Sequence, residues 1–128
     1  MLNNQFKIKN LTIKNYEAPY VIAEAGSNHN QSLEIAYKLI DVAANAGAQA
    51  VKFQLFKAEK LYPVGTKLYE IFKSIELNPD WVPKLAEHSQ SCGIEFLASP
   101  FDKGSIDQLE EVEVAAYKIA SSEMTNTR

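Results

Sequence analysis

Four short apolar runs separate stretches of helical periodicity along the chain. The runs span residues 20–25, 50–55, 94–98 and 115–120, and short apolar runs of this kind are typical of buried parallel strands. Between them, apolar residues recur three and four positions apart, which is the spacing of one helix face. Strands that alternate with helices pair in parallel through right-handed crossovers, so the pattern predicts an α/β fold with about four parallel strands.

Smaller elements surround the predicted strands. Residues 6–13 predict a β-hairpin, which we expect to cap one end of the main fold. A short helix is predicted over residues 68–74, within the long connection after the second strand. At the start of the third long helix, Ser105 and Gln108 fit a capping box, and Ile106 is expected to face inward.

Two closures of the parallel sheet fit this order of elements: an open, doubly wound sheet and a (β/α)₈ barrel. A whole barrel needs about 250 residues, and this chain has 128. No Gly-x-Gly-x-x-Gly motif follows the first strand, which argues against a dinucleotide-binding fold. Polar residues lie towards the carboxyl ends of the strands, where both closures place their active sites. They are Glu24, Lys52, Gln54, Ser99, Lys118 and Ser121.

The second strand carries a lysine and a glutamine in an otherwise apolar run. Side chains alternate across a strand, so Lys52 and Gln54 share one face, while Val51, Phe53 and Leu55 take the other. A lysine is seldom fully buried without a partner. An anion bound beside the strand would provide that partner, whereas a lysine that reaches solvent at the strand end would need none.

Lys118 places a second lysine in the fourth predicted strand. If Lys52 and Lys118 faced one cavity, they would repel each other, and a phosphate or carboxylate ligand between them would remove the repulsion. Serine hydroxyls at the ends of the third and fourth strands would complete such a site. The alternative is that each lysine forms an internal ion pair, Lys52 with Glu24 and Lys118 with Glu123.

The composition is that of an ordinary globular domain and argues against several other classes of protein. Hydrophobic residues make up 46% of the chain and charged residues 23%. The net charge of −3 provides no basic field for nucleic acid or an anionic membrane, and no apolar run is long enough to span one. With one cysteine, Cys92, and no secretory signal, we expect a cytoplasmic protein without disulfides. The two histidines, His29 and His88, do not by themselves predict a metal site.

Four motifs together resemble the sialic acid synthase family. They are residues 21–30 (VIAEAGSNHN), 47–54 (GAQAVKFQ), 96–102 (FLASPFD) and 117–123 (YKIASSE). The family includes N-acetylneuraminate, legionaminate and pseudaminate synthases and related spore-coat polysaccharide proteins. The resemblance covers nearly the whole chain. It implies that residues 1–128 form a single domain, the N-terminal half of a TIM-type (β/α)₈ barrel preceded by a β-hairpin.

The resemblance also implies a reaction in which phosphoenolpyruvate condenses with an N-acetylated hexose such as N-acetylmannosamine. The products are a nonulosonic acid and phosphate. In such enzymes the positions of Lys52 and Lys118 bind phosphoenolpyruvate, and those of Ser99 and Ser121 supply hydroxyls to it.

Three further positions carry implied roles. Those of Gln54 and Glu123 hold the amino sugar, and that of Glu24 is another active-site carboxylate. A divalent ion, Mn²⁺ or Mg²⁺, would polarise the sugar aldehyde, and no residue of this chain is expected to bind it.

Family members also have a second half-barrel, which carries the metal-binding histidines, and usually a C-terminal antifreeze-like domain. Neither is matched in this sequence. We therefore expect a truncated and inactive fragment of a synthase. The alternative is a non-catalytic half-barrel that binds a phosphorylated acid or assembles through its open edges. Because the first and fourth strands would be open edges, we expect a homo-oligomer.

Overall fold

The computed structural model describes residues 4–125, in which strands alternate with helices after an N-terminal hairpin. The strands are β1 Gln5–Ile8, β2 Leu11–Lys14, β3 Ile22–Gly26, β4 Ala50–Leu55 and β5 Glu95–Pro100. The helices are α1 Leu33–Asn45, α2 Ala58–Leu61, α3 Lys67–Ser74, α4 Val82–Ser91 and α5 Lys103–Glu111. Single turns of 3-10 helix lie at Pro79–Trp81 and Ser121–Glu123. No helix in this part of the chain is long and apolar enough to cross a membrane.

The main sheet is parallel and has the order β3, β4, β5, so that β4 is central. Three of the four predicted strands are thereby confirmed within one to two residues at each end. The register shifts between Glu24 and Gly26, where the last residue of β3 has a φ of 56°. Such a left-handed conformation favours glycine, and the shift ends regular pairing where β3 enters its loop.

The helices cover one face of this sheet. Val51, Phe53 and Leu55 of β4 are buried there. They belong to one apolar core with Ile40 of α1 and Leu85 of α4, which are both fully buried. Strand alternation sends the remaining side chains of β4 to the opposite face. The two-faced character predicted for this strand is therefore confirmed.

The prediction of a fourth strand over residues 115–120 is wrong. The segment forms no strand within the described part of the chain, and none of its residues is fully buried. An apolar run becomes a strand only if a neighbouring strand pairs with its backbone, which depends on tertiary placement. Here the hydroxyl of Tyr117 donates to Glu110 at the end of α5. The edges of the described sheet are therefore β3 and β5.

The predicted hairpin is confirmed as β1 and β2, which pair with each other outside the main sheet. At its turn, Lys9 forms an ion pair of 2.8 Å with Glu95, the first residue of β5. The hairpin is thus tied to the amino-terminal end of the sheet. A cavity of about 650 Å³ also lies there, between the hairpin turn, α4 and the start of β5. None of the predicted site residues lines it.

Side-chain caps fix where the long helices begin. The hydroxyl of Ser32 accepts a backbone N–H from the first turn of α1. At α5 the predicted cap is wrong, because the Asp102 carboxylate accepts the N–H of Ser105 over 2.9 Å. The inward direction expected of Ile106 is also wrong, since its side chain is 42% exposed while Leu109 is fully buried. The short helix predicted over residues 68–74 is confirmed as α3.

Candidate functional site

The polar side chains of the sheet lie on the face opposite the helices. Paired residues of parallel strands point to the same face, so Glu24, Lys52 and Leu97 lie side by side across the sheet. Gln54 and Ser99 form the next row, nearer the carboxyl ends of their strands. Alternation within β4 predicted that Lys52 and Gln54 share this face, and the register of the three strands adds Glu24, Leu97 and Ser99. We call these five residues the open face.

Lys52 is the centre of the open face. Its Nζ lies 2.5 Å from Oε2 of Glu24 and 3.5 Å from Oγ of Ser99. The Lys52 side chain is 12% exposed and the Glu24 side chain 54% exposed. The internal ion pair between Lys52 and Glu24, one of the two alternatives from the sequence, is therefore present. Because the Glu24 side chain is about half exposed, solvent reaches the pair from the carboxylate side.

Gln54 is held by the loop that follows β3. Ser27 in that loop donates its hydroxyl to Oε1 of Gln54 over 3.2 Å. A glutamine amide has two N–H donors in addition to this oxygen, and they do not depend on the bond to Ser27. Gln54 therefore links the first loop to the end of the central strand and still has donors to offer a polyhydroxylated ligand.

His29 orders the loop between β3 and α1. It is fully buried, and its Nδ1 accepts the backbone N–H of Gln31 over 3.2 Å. Its ring meets that of Trp81 edge-on, with the centroids 5.8 Å apart. Burial lowers the pKa of His29, against a smaller opposing effect from the Ile75 backbone. The neutral imidazole is thus the form that the fold favours.

Glu76, which the sequence did not single out, holds together the connections at the carboxyl end of the sheet. Its side chain is 8% exposed and accepts the Lys57 ammonium at 2.9 Å, the Ala58 N–H at 3.1 Å and the Lys73 ammonium at 3.2 Å. Burial acts to raise the pKa of Glu76, but the hydrogen bonds from these three donors outweigh it and the pKa is lowered. The Glu76 carbonyl also accepts the Gln31 side chain over 2.8 Å, so the loops after β3 and β4 are joined.

Lys118 and the residues that follow it make local contacts. Lys118 is exposed, and its Nζ donates to the carbonyl of Ile119 over 2.7 Å. Ser121 begins a single helical turn in which Ser122 donates to Oε1 of Glu123 over 3.4 Å. That Lys118 and Lys52 meet at one ligand stays a prediction.

A second polar cluster lies between α1 and α4, in the helical layer. Nε2 of His88 is 2.7 Å from Oδ1 of Asp41, and the thiol of Cys92 donates to the same oxygen over 3.5 Å. Ligand atoms of the three side chains lie within 4.8 Å of one another, so the cluster could hold a metal ion. The hydrogen bond from His88 lowers the pKa of Asp41, and a weaker one from Cys92 acts in the same direction against burial.

The sequence alone did not predict this cluster, for an identifiable reason. His88 and Cys92 are four residues apart on one helix, which is a usable signal for side chains on one face. Asp41 comes from a different helix, and its approach depends on how α1 packs against α4. Glu76 was missed in the same way, because its partners Lys57 and Ala58 belong to a different part of the long connection.

Comparison with known proteins identifies the family. The sequence pattern of the NeuB family matches residues 39–128, which is most of the chain. The chain belongs to the NeuB family. The N,N'-diacetyllegionaminic acid synthase of Legionella pneumophila is 40% identical over 84% of this chain. The spore coat polysaccharide biosynthesis protein SpsE of Bacillus subtilis is 36% identical over 94% of it.

A solved structure shares the architecture. The N-acetylneuraminic acid (sialic acid) synthetase of Leptospira borgpetersenii, in complex with citrate, matches 95% of this chain with a TM-score of 0.88 and 34% identity. The match covers 43% of that protein, and the two curated relatives are covered over 34% and 35% of theirs. The chain thus spans about a third of the length of the curated relatives it matches. The predicted resemblance to sialic acid synthases is confirmed, and the α/β fold is shared with such a synthase.

Proposed function

We propose that this chain supplies the phosphoenolpyruvate-binding part of a nonulosonic acid synthase. The reaction joins phosphoenolpyruvate to an N-acetylated hexose of the N-acetylmannosamine type and releases phosphate. The observation that carries the proposal is a partly buried lysine with a serine hydroxyl, Lys52 and Ser99, on the sheet face opposite the helices of a NeuB-family chain. A buried ammonium beside a hydroxyl donor is suited to a carboxylate or a phosphate.

Each polar residue of the open face has a role in this proposal. Lys52 and Ser99 donate to phosphoenolpyruvate, and Gln54 offers its amide to the sugar. Glu24 is 54% exposed and can turn towards solvent, so an incoming anion can take its place beside Lys52. The displaced carboxylate is then available to a sugar hydroxyl.

Three further residues would act from beyond the described sheet. Lys118 and Ser121 would add a cation and a hydroxyl for phosphoenolpyruvate, and Glu123 would contact the amino sugar. Lys118 is exposed and in no strand, so its side chain can move towards a ligand without breaking sheet hydrogen bonds. We infer that a bound ligand orders this segment against β5.

The metal ion expected for the reaction does not fit the open face. Glu24 is the single carboxylate of the open face, the Lys52 ammonium beside it would repel a divalent cation, and among the described residues the three-ligand cluster that could hold a metal lies elsewhere. The cluster of Asp41, His88 and Cys92 belongs to the helices that cover the other face. We therefore propose that these 128 residues bind phosphoenolpyruvate but do not complete the condensation by themselves.

Calorimetry with phosphoenolpyruvate tests the proposal. Replacing Lys52 by Ala should weaken binding by tenfold or more, because a partly buried charge pair is worth about 4 kcal/mol before desolvation. The matched control is Lys38→Ala, which removes an equal charge from the exposed surface of α1 and should leave binding unchanged. Equal binding by both variants, with circular dichroism showing both folded, would refute the role of Lys52.

A second candidate is a binding module that assembles through its sheet edge and makes no product. The favouring observation is that β3 is an edge of the described sheet, and that its first residue, Ile22, is 41% exposed and the preceding Val21 48% exposed. Open edges with apolar side chains pair readily with other strands. Light scattering separates the candidates, since assembly that Ile22→Lys abolishes, without any affinity for phosphoenolpyruvate, would favour the module.

A further inference from the structure

We propose that Asp41, His88 and Cys92 form a zinc-type metal site that joins α1 to α4. The three side chains present one carboxylate oxygen, one imidazole nitrogen and one sulfur, all within 4.8 Å of one another. Nothing in the proposed synthase reaction uses these atoms, and the helices that carry them pack on the sheet face opposite Lys52. The site is therefore separate from the open face.

The spacing of the ligand atoms suits a small tetrahedral ion. With metal–ligand bonds of about 2.0 to 2.3 Å, neighbouring ligands of a tetrahedral zinc site lie about 3.3 to 3.7 Å apart. The Cys92 sulfur is already 3.5 Å from Oδ1 of Asp41, and Nε2 of His88 is 2.7 Å from the same oxygen. An increase of about 0.6 Å in the separation between Asp41 and His88, from 2.7 Å to the tetrahedral spacing of about 3.3 Å, would admit the ion.

Local structure orients the ligands before an ion arrives. The His88 ring is stacked on Tyr37 with centroids 4.4 Å apart and an angle of 29° between the planes. His88 and Cys92 are one helical turn apart and share a face of α4. Both lie at the carboxyl end of this helix, where the helix dipole favours a positive charge. Asp41 is 48% and His88 29% exposed, so an ion and a fourth ligand, water, can reach the site.

The chemistry of the three ligand atoms determines which metal ions the cluster would bind. A thiolate with an imidazole favours Zn²⁺ over Mg²⁺ or Mn²⁺, which prefer oxygen ligands. On binding, the Cys92 thiol loses its proton to solvent, and the neutral imidazole of His88 binds through Nε2 with its proton on Nδ1. The hydrogen bonds of both groups to Asp41 are replaced by metal–ligand bonds, and binding therefore releases protons.

Cobalt titration tests the site directly. Cys92 is the single cysteine, so a sulfur-to-cobalt charge-transfer band in the near ultraviolet reports on this residue alone. We expect such a band at one Co²⁺ per chain, and we expect Zn²⁺ to abolish it by displacement. The absence of a band, or a band that saturates at one ion per two chains, would overturn the proposal, because the second result means a site shared by two cysteines.

Variants then assign the other two ligands. Asp41→Asn and His88→Gln should each weaken Zn²⁺ binding in calorimetry by about tenfold or more. The matched control is Glu87→Gln, which alters an exposed carboxylate beside His88 and should not change the affinity. Unchanged affinity in both ligand variants would show that Cys92 binds the ion without this cluster, and the site would be withdrawn.

Two measurements need no variant. Zn²⁺ should slow the alkylation of Cys92 by iodoacetamide, because the free thiolate is the nucleophile that displaces iodide in this reaction. A hundredfold excess of Zn²⁺ over its dissociation constant should raise Tm by about 10 °C, since the ion binds only the folded arrangement of α1 and α4. An alkylation rate and a Tm that Zn²⁺ does not change would each contradict the proposal.

Discussion

At the scale of single residues, buried polar groups behave according to the partners that the fold gives them. His29 and Glu76 are both nearly inaccessible, yet their ionisation is affected in opposite ways. His29 has a backbone donor and an aromatic edge as neighbours, so burial disfavours its charged form. Glu76 has two ammonium groups and an amide, so its charged form is favoured in spite of burial.

His29 predicts a pH dependence of stability. Its folded pKa lies below the ordinary value of 6.5, so the unfolded chain binds the proton more readily. The free energy of unfolding should therefore hold its full value, as far as His29 is concerned, well above pH 6.5. It should fall as the pH drops through 6.5 towards the lower folded pKa. Urea denaturation at several pH values measures this slope. His29→Gln should flatten it between pH 7.5 and 5.5, about one unit either side of the ordinary value, and an unchanged slope would mean that another group causes it.

At the scale of elements, the caps and the register place the functional side chains. The carboxylate of Asp102 binds both the N–H and the hydroxyl of Ser105, each over 2.9 Å, and so fixes the start of α5 directly after β5. The spacing of Ser105 and Gln108 matches a capping box. The Asp102 carboxylate, three residues before Ser105, is nevertheless the stronger acceptor and caps the helix. Aspartate is among the best N-cap residues, whereas the side chain of Ser105 is already used by Asp102.

The cap gives an element-scale prediction. Asp102→Ala should destabilise the protein by about 1 kcal/mol, because the N-terminal N–H groups of α5 lose their acceptor. Asp107→Ala removes an exposed carboxylate from the same helix and is expected to cost less than about 0.5 kcal/mol. Both are measured from the urea midpoint at constant m-value. Equal costs would indicate that Asp102 acts through general charge rather than as a cap.

At the scale of the whole molecule, the connections at the carboxyl end of the sheet are tied to one another. The loop after β3 reaches Glu76 through Gln31, and the segment after β4 reaches it through Lys57 and Ala58. Both loops border the strand ends that carry Glu24 and Gln54. The shape of the open face therefore depends on a carboxylate that does not belong to it.

Glu76→Gln tests this arrangement. Its two lysine partners are 36% and 48% exposed, so solvent screens part of the loss, and we expect a destabilisation of about 1 to 2 kcal/mol at pH 7. The folded pKa of Glu76 is below its ordinary 4.5, so this contribution is present above pH 4.5. It should disappear as the pH falls through the folded pKa. Glu87→Gln, an exposed change on α4, provides the control, and a deficit that persists in acid would contradict the charge argument.

The sequence by itself determined the local structure of β4 and the family of this protein. The alternation of β4 fixed which face carries Lys52 and Gln54, and the four motifs identified the family. The face of β4 follows from side-chain spacing, which is set by the period of the strand alone. The family follows instead from the resemblance of the four motifs to those of known synthases. The family then gave the sialic acid synthase reaction that we propose.

Only the tertiary structure decided the contacts between elements. It paired Lys52 with Glu24, left residues 115–120 out of the sheet, and brought Asp41 of α1 to His88 of α4. The physical reason is the same in each case. A strand or an ion pair needs a partner from a distant part of the chain. The hydrophobic pattern shows which side of an element is buried, but it does not show which other element covers that side.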